Sequence, residues 1–214
     1  MIDGLLFTYT YDGLNRLSAI DSPHHTYTFT YDYWNRLLSY THNGTLNTLI
    51  YDDQKELGTL ATLRILNPTY ASEIGATVAI EHNQSVLIPI HDLFGNIISL
   101  QDPSHKILEQ HRYSAFGERL STPTQIPWHF QSKRDFGPLV YFGHRFYHPH
   151  LGRFGTPDPL GFEQGPNLYQ YSYNNPYLYA DLYGLSAMTR VSGLLQAFGG
   201  AGEMLGPQEP PMCL

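Results

Sequence analysis

A twenty-residue internal period constrains this chain more than any other feature. The run Tyr9-Thr10-Tyr11-Asp12-Gly13-Leu14-Asn15-Arg16-Leu17 returns as Phe29-Thr30-Tyr31-Asp32-Tyr33-Trp34-Asn35-Arg36-Leu37. A decayed third copy begins at Leu49-Ile50-Tyr51-Asp52, and later echoes run Ile90-His91-Asp92-Leu93-Phe94-Gly95-Asn96 and Arg112-Tyr113-Ser114-Ala115-Phe116-Gly117. A fixed period marks an architecture in which one small unit stacks on the next. Within a copy, aromatics alternate around threonine as in a half-buried strand. The Asp-Gly-Leu-Asn segment supplies turn residues, and Arg-Leu leads into a returning strand. Each copy therefore reads as a β-hairpin. A lone hairpin is marginal in water, so the copies must stack to bury a shared aromatic face. Tyr11, Tyr31 and Trp34 are accordingly packing residues. A sugar-binding role for them lacks convergent polar groups.

Composition agrees. The 17 tyrosines, 19 glycines and 15 prolines favour turn-rich β-structure over a helical bundle, which would want more Ala, Lys and Glu. A net charge of −7 argues against general nucleic-acid binding, which needs a basic surface. Cys213 is the only cysteine, so no intrachain disulfide forms. Met1 to Thr8 lacks the basic start and apolar core of a signal peptide, and no run reaches the length of a membrane span. Export is expected to use another route or an upstream region.

Three regions follow along the chain: repeats over 1–122, a distinct core over 123–185, and a tail over 186–214. Late in the first region, Leu60 to Leu66 is an apolar run ending at Asn67-Pro68. Ala76 to Ile80 and Val86 to Ile90 read as buried strands, with Pro89 demanding an edge or irregular position. Gly137-Pro138 is a turn signal between two further strands. In the tail, Ser186 to Phe198 reads as a short helix, and the Gly- and Pro-dense remainder as disorder. Twenty-nine residues cannot bury an enzymatic core.

The 123–185 region carries a series of short blocks: Arg145-Phe146-Tyr147-His148-Pro149, Gly152-Arg153-Phe154, Asp158-Pro159-Leu160-Gly161, Asn167-Leu168-Tyr169-Gln170-Tyr171, Asn174-Asn175-Pro176 and Asp181-Leu182-Tyr183-Gly184-Leu185. In order and spacing they resemble the repeat-associated core of the rearrangement-hotspot (RHS) family, whose members carry YD repeats. His148 stands where that family usually has Asp, and Leu182 where it usually has Pro. The resemblance extends over nearly all of the chain up to Leu185. It implies an all-β fold in which stacked YD-repeat hairpins form part of a β-shell, with the core curling inward as a plug. In such polymorphic toxins the shell encloses a variable C-terminal effector. Here that effector would be missing, decayed or reduced to a short peptide.

The resemblance also implies an aspartic peptidase acting once in cis. By position, Asp158 and Asp181 are its carboxylates, Arg145 its supporting cation, and Leu185–Ser186 the bond cut. It implies no cofactor. The partners it implies are the chain's own C-terminal segment, the rest of the shell, secretion components and a cognate immunity protein. The location it implies is extracellular or at the cell surface after a cytoplasmic stage.

Elementary chemistry is compatible with this. Two neighbouring carboxyls share one proton because both cannot ionise cheaply, so one serves as base and the other as acid. Arg145 could either hold a carboxylate ionised or stabilise the oxyanion. Asp158 and Asp181 are equally good turn residues, which makes a non-catalytic structural or adhesion module the competing expectation. His144, His148 and His150 would share a face of a regular strand with Phe146, but no fourth ligand is at hand, so no metal site is expected. Cys213 has no placed base to make it a nucleophile.

Overall fold

The computed structural model describes residues 6–70, 72–121 and 125–189. Its strands are short and antiparallel. β1 (Thr8–Tyr11), β2 (Leu17–Asp21), β3 (Thr26–Tyr31), β4 (Leu37–His42) and β5 (Thr45–Thr48) make a five-stranded sheet in sequence order. β6 (Ile50–Asp52), β7 (Lys55–Thr59), β8 (Thr62–Leu66), β9 (Thr77–His82), β10 (Ser85–His91), β11 (Ile97–Gln101) and β12 (Ile107–Gln110) make a seven-stranded sheet, again in sequence order. β13 (Arg134–Phe136), β14 (Leu139–Tyr141), β15 (Phe146–His148) and β16 (Arg153–Phe154) form a third sheet, and β17 (Tyr179–Asp181) pairs with β18 (Ala187–Thr189).

The repeat's aspartate explains its hairpin. Asp12 Oδ1 accepts hydrogen bonds from the backbone amides of Leu14 and Arg16, both at 2.9 Å, and its Oδ2 pairs with the Arg16 side chain. Asp32 accepts the Arg36 amide and its Nε, each at 2.8 Å. Asp92 accepts the amides of Phe94 and Asn96, and Asp102 those of Ser104 and Lys106. Every such loop needs a left-handed residue three positions after its head. Asn15 (φ 60°), Asn35 (φ 69°), Gly95 (φ 79°) and, after Asp102, His105 (φ 64°) fill that place. Asn and Gly are the residues that tolerate it most cheaply. Each loop also shifts the strand register by a β-bulge, as at Thr10/Tyr11, Thr30/Tyr31 and Ile90/His91.

Tyrosine and arginine then lock one repeat to the next. The Tyr31 hydroxyl donates to the Leu17 carbonyl at 2.5 Å, and Tyr51 donates to Leu37 at 2.8 Å. The Arg16 guanidinium lies 4.6 Å over the Tyr31 ring, and Arg36 lies 4.9 Å over Tyr51. Leu17 and Leu37, which open the return strands, are buried in a core shared with Phe136, Leu139, Tyr141 and Phe146 of the third sheet. Trp128 and Ile126 fill the equivalent place against Ile80, Leu87, Ile97 and Leu100 of the seven-stranded sheet.

Charge is buried where sheets and connection meet. The Glu56 carboxylate accepts from Arg134 at 2.7 and 2.8 Å and from the Trp128 indole at 3.2 Å. Arg64 donates to the Glu56 carbonyl at 2.7 Å and the Ser132 carbonyl at 2.5 Å. Burial alone would push the Glu56 pKa up, but Arg134 and Arg64 overcome it and hold the group below its ordinary value.

Several expectations need adjusting. Trp34 is not a packing residue: it is 64% exposed, with Arg36 over its ring. The third copy turns through Asp53 (φ 52°) in a tighter hairpin between β6 and β7. Pro89 lies inside β10, but beyond the end of its pairing with β9, so its missing N–H costs that ladder nothing. Ser186 to Phe198 is not helical at its start, because Ala187–Thr189 is a strand whose backbone finds β17 as its partner. The rest of the tail, including Cys213, lies outside the described residues.

Two stability measurements check this account. Asp32→Ala should lower the unfolding free energy by about 1–3 kcal/mol, since it strands the Arg36 donors. Glu56→Ala should cost about 3–5 kcal/mol in the same denaturation assay, because two buried guanidinium groups lose their counter-ion. The Glu56 contribution should hold above its unfolded pKa near 4.5 and disappear as pH falls through the lower folded value.

Candidate functional site

The core aspartates also head turns, with part of the repeats' hydrogen bonding. Asp158 Oδ1 accepts the Leu160 amide at 2.9 Å, and its carbonyl accepts the Gly161 amide at 3.0 Å. Asp181 Oδ1 accepts the amides of Tyr183 (3.2 Å), Gly184 (2.7 Å) and Leu185 (3.1 Å). Gly161 (φ 67°) and Gly184 (φ 72°) occupy the left-handed place three residues on. A Cβ at Gly184 would lie 3.1 Å from the Arg145 amide nitrogen, so glycine also permits the close approach.

The difference from the repeats lies at the fifth position. There Arg16 and Arg36 neutralise the outer carboxylate oxygen, whereas the core turns carry Phe162 and Leu185. The missing cation comes from Arg145, in the connection between β14 and β15. The backbone of this connection docks on the Asp181 turn, the His144 amide donating to the Tyr183 carbonyl at 3.0 Å. Arg145 Nη2 contacts Asp158 Oδ2 at 2.8 Å and Asp181 Oδ2 at 3.4 Å, so one nitrogen bridges both carboxylates. Its Nε donates to the Gly184 carbonyl at 2.5 Å and its Nη1 to the Leu168 carbonyl at 3.2 Å. Its guanidinium lies 3.8 Å over the Phe154 ring. Arg145 thus grips the carbonyl one residue before that of Leu185.

All three side chains are almost fully withdrawn from solvent. Burial pushes the Asp181 carboxyl above its ordinary pKa, and Arg145 with the Leu185 and Gly184 amides offsets this only in part. Burial likewise works against the Arg145 charge, and Asp181 and Asp158 work for it. A cavity of about 20 Å³ is lined by Arg145, Asp158, Asp181, Leu185 and Ala187. Leu185 is half-buried and Ser186 exposed, in the loop between β17 and β18.

The two departures from the family pattern fall differently. The amides held by Asp181 belong to residues 183, 184 and 185, so the turn does not depend on proline at Leu182. His148 packs edge-on against Tyr9 with ring centroids 5.3 Å apart, and burial, with Arg153 adding, pushes its pKa down to about 4. It ties the core to the first strand. The histidines do not share a strand face as expected: β15 ends at His148, and His150 pairs with Glu118 at 3.0 Å. Among the described residues no group of three His, Cys, Asp or Glu side chains could hold a metal ion.

One participant was not anticipated. Lys133 reaches the Leu182 carbonyl and pairs with Glu73 at 2.7 Å. Its partners lie 49 and 60 residues away, so no local spacing announces it.

No family model matches the chain. Curated relatives do. YibJ of Escherichia coli K12 is 37% identical over 95 residues, 44% of this chain and 34% of that protein. The tRNA3(Ser)-specific nuclease WapA of Bacillus spizizenii is 26% identical over 196 residues, 82% of this chain and 8% of WapA. The toxin protein Tse5 of Pseudomonas aeruginosa is 42% identical over 59 residues, 28% of this chain and 4% of Tse5. The chain therefore spans about a third or less of the length of these relatives. Among solved structures, the TcdB2-TccC3 crystal structure superposes with a TM-score of 0.64 at 18% identity, over 84% of this chain and 10% of that one. No helix among the described residues is long and apolar enough to cross a membrane. Over most of its length this chain is similar to the RHS/YD-repeat toxins, and its antiparallel sheets have the fold of their shell.

Proposed function

We propose that this chain is a C-terminal portion of an RHS-type shell that cuts itself once, between Leu185 and Ser186, and so frees whatever follows. The observation that carries this reading is the single Arg145 nitrogen bridging Asp158 and Asp181 beside Leu185. The cavity there has room for about one water molecule. Asp158, as carboxylate, takes a proton from that water as its oxygen bonds to the Leu185 carbonyl carbon. The C–N bond to Ser186 then breaks, and the departing amine takes a proton from Asp181, whose burial favours the protonated form. Arg145 holds the two carboxyls together and, through the Gly184 carbonyl, fixes the adjacent peptide. The cut site is tethered four residues from Asp181, so no substrate cleft is needed. In this role the chain works within a larger exported protein, with the remaining shell and the released segment as its partners.

A second reading is favoured by one specific observation. Asp181 accepts the amides two and four residues ahead as the repeat aspartates do, and Asp158 the amide two residues ahead, contacts that in the repeats serve only to head turns. On that reading the core is a structural plug or adhesion module, and Arg145 is its buried clasp.

Intact mass under denaturing conditions separates the two. The parent should lose Ser186–Leu214, whereas Asp158→Asn and Asp181→Asn should remain uncut or be slowed by roughly 100-fold or more. A folded parent that keeps its full mass would leave the structural reading. When cleavage is started by refolding from denaturant, its rate should fall as pH rises through the raised pKa of Asp181.

A further inference from the structure

Lys133 is a lysine with almost no solvent contact; its side chain is 1% exposed. An ammonium group in such a place is costly unless it is fully engaged. It is engaged on several sides. Glu73 Oε1 lies at 2.7 Å, the Leu182 carbonyl accepts from the same nitrogen, and the Tyr183 and Phe142 rings lie 5.2 and 5.6 Å away. Two of these contacts, Leu182 and Tyr183, belong to the turn headed by Asp181.

The loop that carries Lys133 is bolted to the seven-stranded sheet. Ser132 Oγ donates to the Gly95 carbonyl at 2.9 Å and accepts the Gly75 amide at 3.1 Å. The Ser132 carbonyl accepts Arg64, and the Gln131 amide donates to Asn96 Oδ1 at 2.9 Å. Glu73 itself sits in the β8–β9 connection of that sheet. The core turn is thus held from one side by Arg145 and from the other by a cation anchored in the repeat sheet.

We infer that Lys133, charged and oriented by Glu73, is a positioning residue that fixes the Leu182–Leu185 turn against Arg145 and the two aspartates. Cleavage is thereby conditional on a folded seven-stranded sheet. This rests on the proposed self-cleavage as far as the reaction is concerned, while the hold on the turn stands apart from it. The charge also bears on Asp181. The groups facing that carboxyl are Arg145, Asp158 and Lys133, and the positive field of Lys133 opposes the upward push of burial.

The test compares the parent with Lys133→Met and Glu73→Gln in the full chain, by hydrogen exchange and by denaturing intact mass. Both variants should speed exchange of the Tyr183, Gly184 and Leu185 amides by roughly 10-fold or more, while amides of β2 to β4 keep their parental protection. Tail release should slow by a similar factor. Its high-pH limb should also move upward in Lys133→Met, a displacement that a merely space-filling side chain would not cause. Should Lys133→Met fail to fold, Glu73→Gln, which keeps the side-chain shape, carries the comparison. Unchanged exchange in a folded variant overturns the inference. If the parent releases no tail but the turn amides still lose protection, self-cleavage fails and the positioning role stands.

Discussion

An aspartate accepting backbone amides two and four residues ahead is the interaction on which this fold depends. It converts a flexible stretch into a turn with one left-handed residue, one bulge and a fixed exit direction. The same carboxylate leaves its second oxygen free to recruit a cation, and the cation leans on the tyrosine of the next repeat. A single residue type therefore sets turn, register and stacking. Removing it would loosen three levels of structure together.

The core uses this device with its wiring changed. Replacing the local arginine by Phe162 or Leu185 leaves each carboxylate in need of a distant counter-ion, and Arg145 serves both. A local, partly exposed ion pair is thereby exchanged for a shared, buried one. Buried charge is unforgiving, because losing a partner leaves the others desolvated. Glu56 with Arg134 and Arg64, and Glu73 with Lys133, follow the same rule at the joints between sheets. The interior is knit by charge as well as by aromatic packing.

The local parts of this structure were legible in the sequence. Alternating aromatics announced the strands, and Asp with Asn or Gly three residues on announced the turns, because both signals act within a few residues. Arg145, Asp158 and Asp181 could be singled out from the family pattern, and the structure brings their side chains together. Lys133 and Glu73 could not be found this way, since their contacts join segments whose proximity is created by folding. Trp34 misled for a related reason. Its aromaticity suggests burial, but its place at the turn tip points it outward. The strand at Ala187–Thr189 is likewise set by a waiting edge of β17 rather than by its own residues.

In both large sheets the spatial order of strands is the order of the chain. Each strand can find its neighbour as soon as it has been synthesised, without waiting for a distant segment. Contacts this local favour rapid, stepwise assembly. The Asp181 turn is the opposite case, for it draws on residues 73, 133, 145 and 158 before it is complete. A chain built in this sequence raises its walls first and closes its last turn only when they are standing.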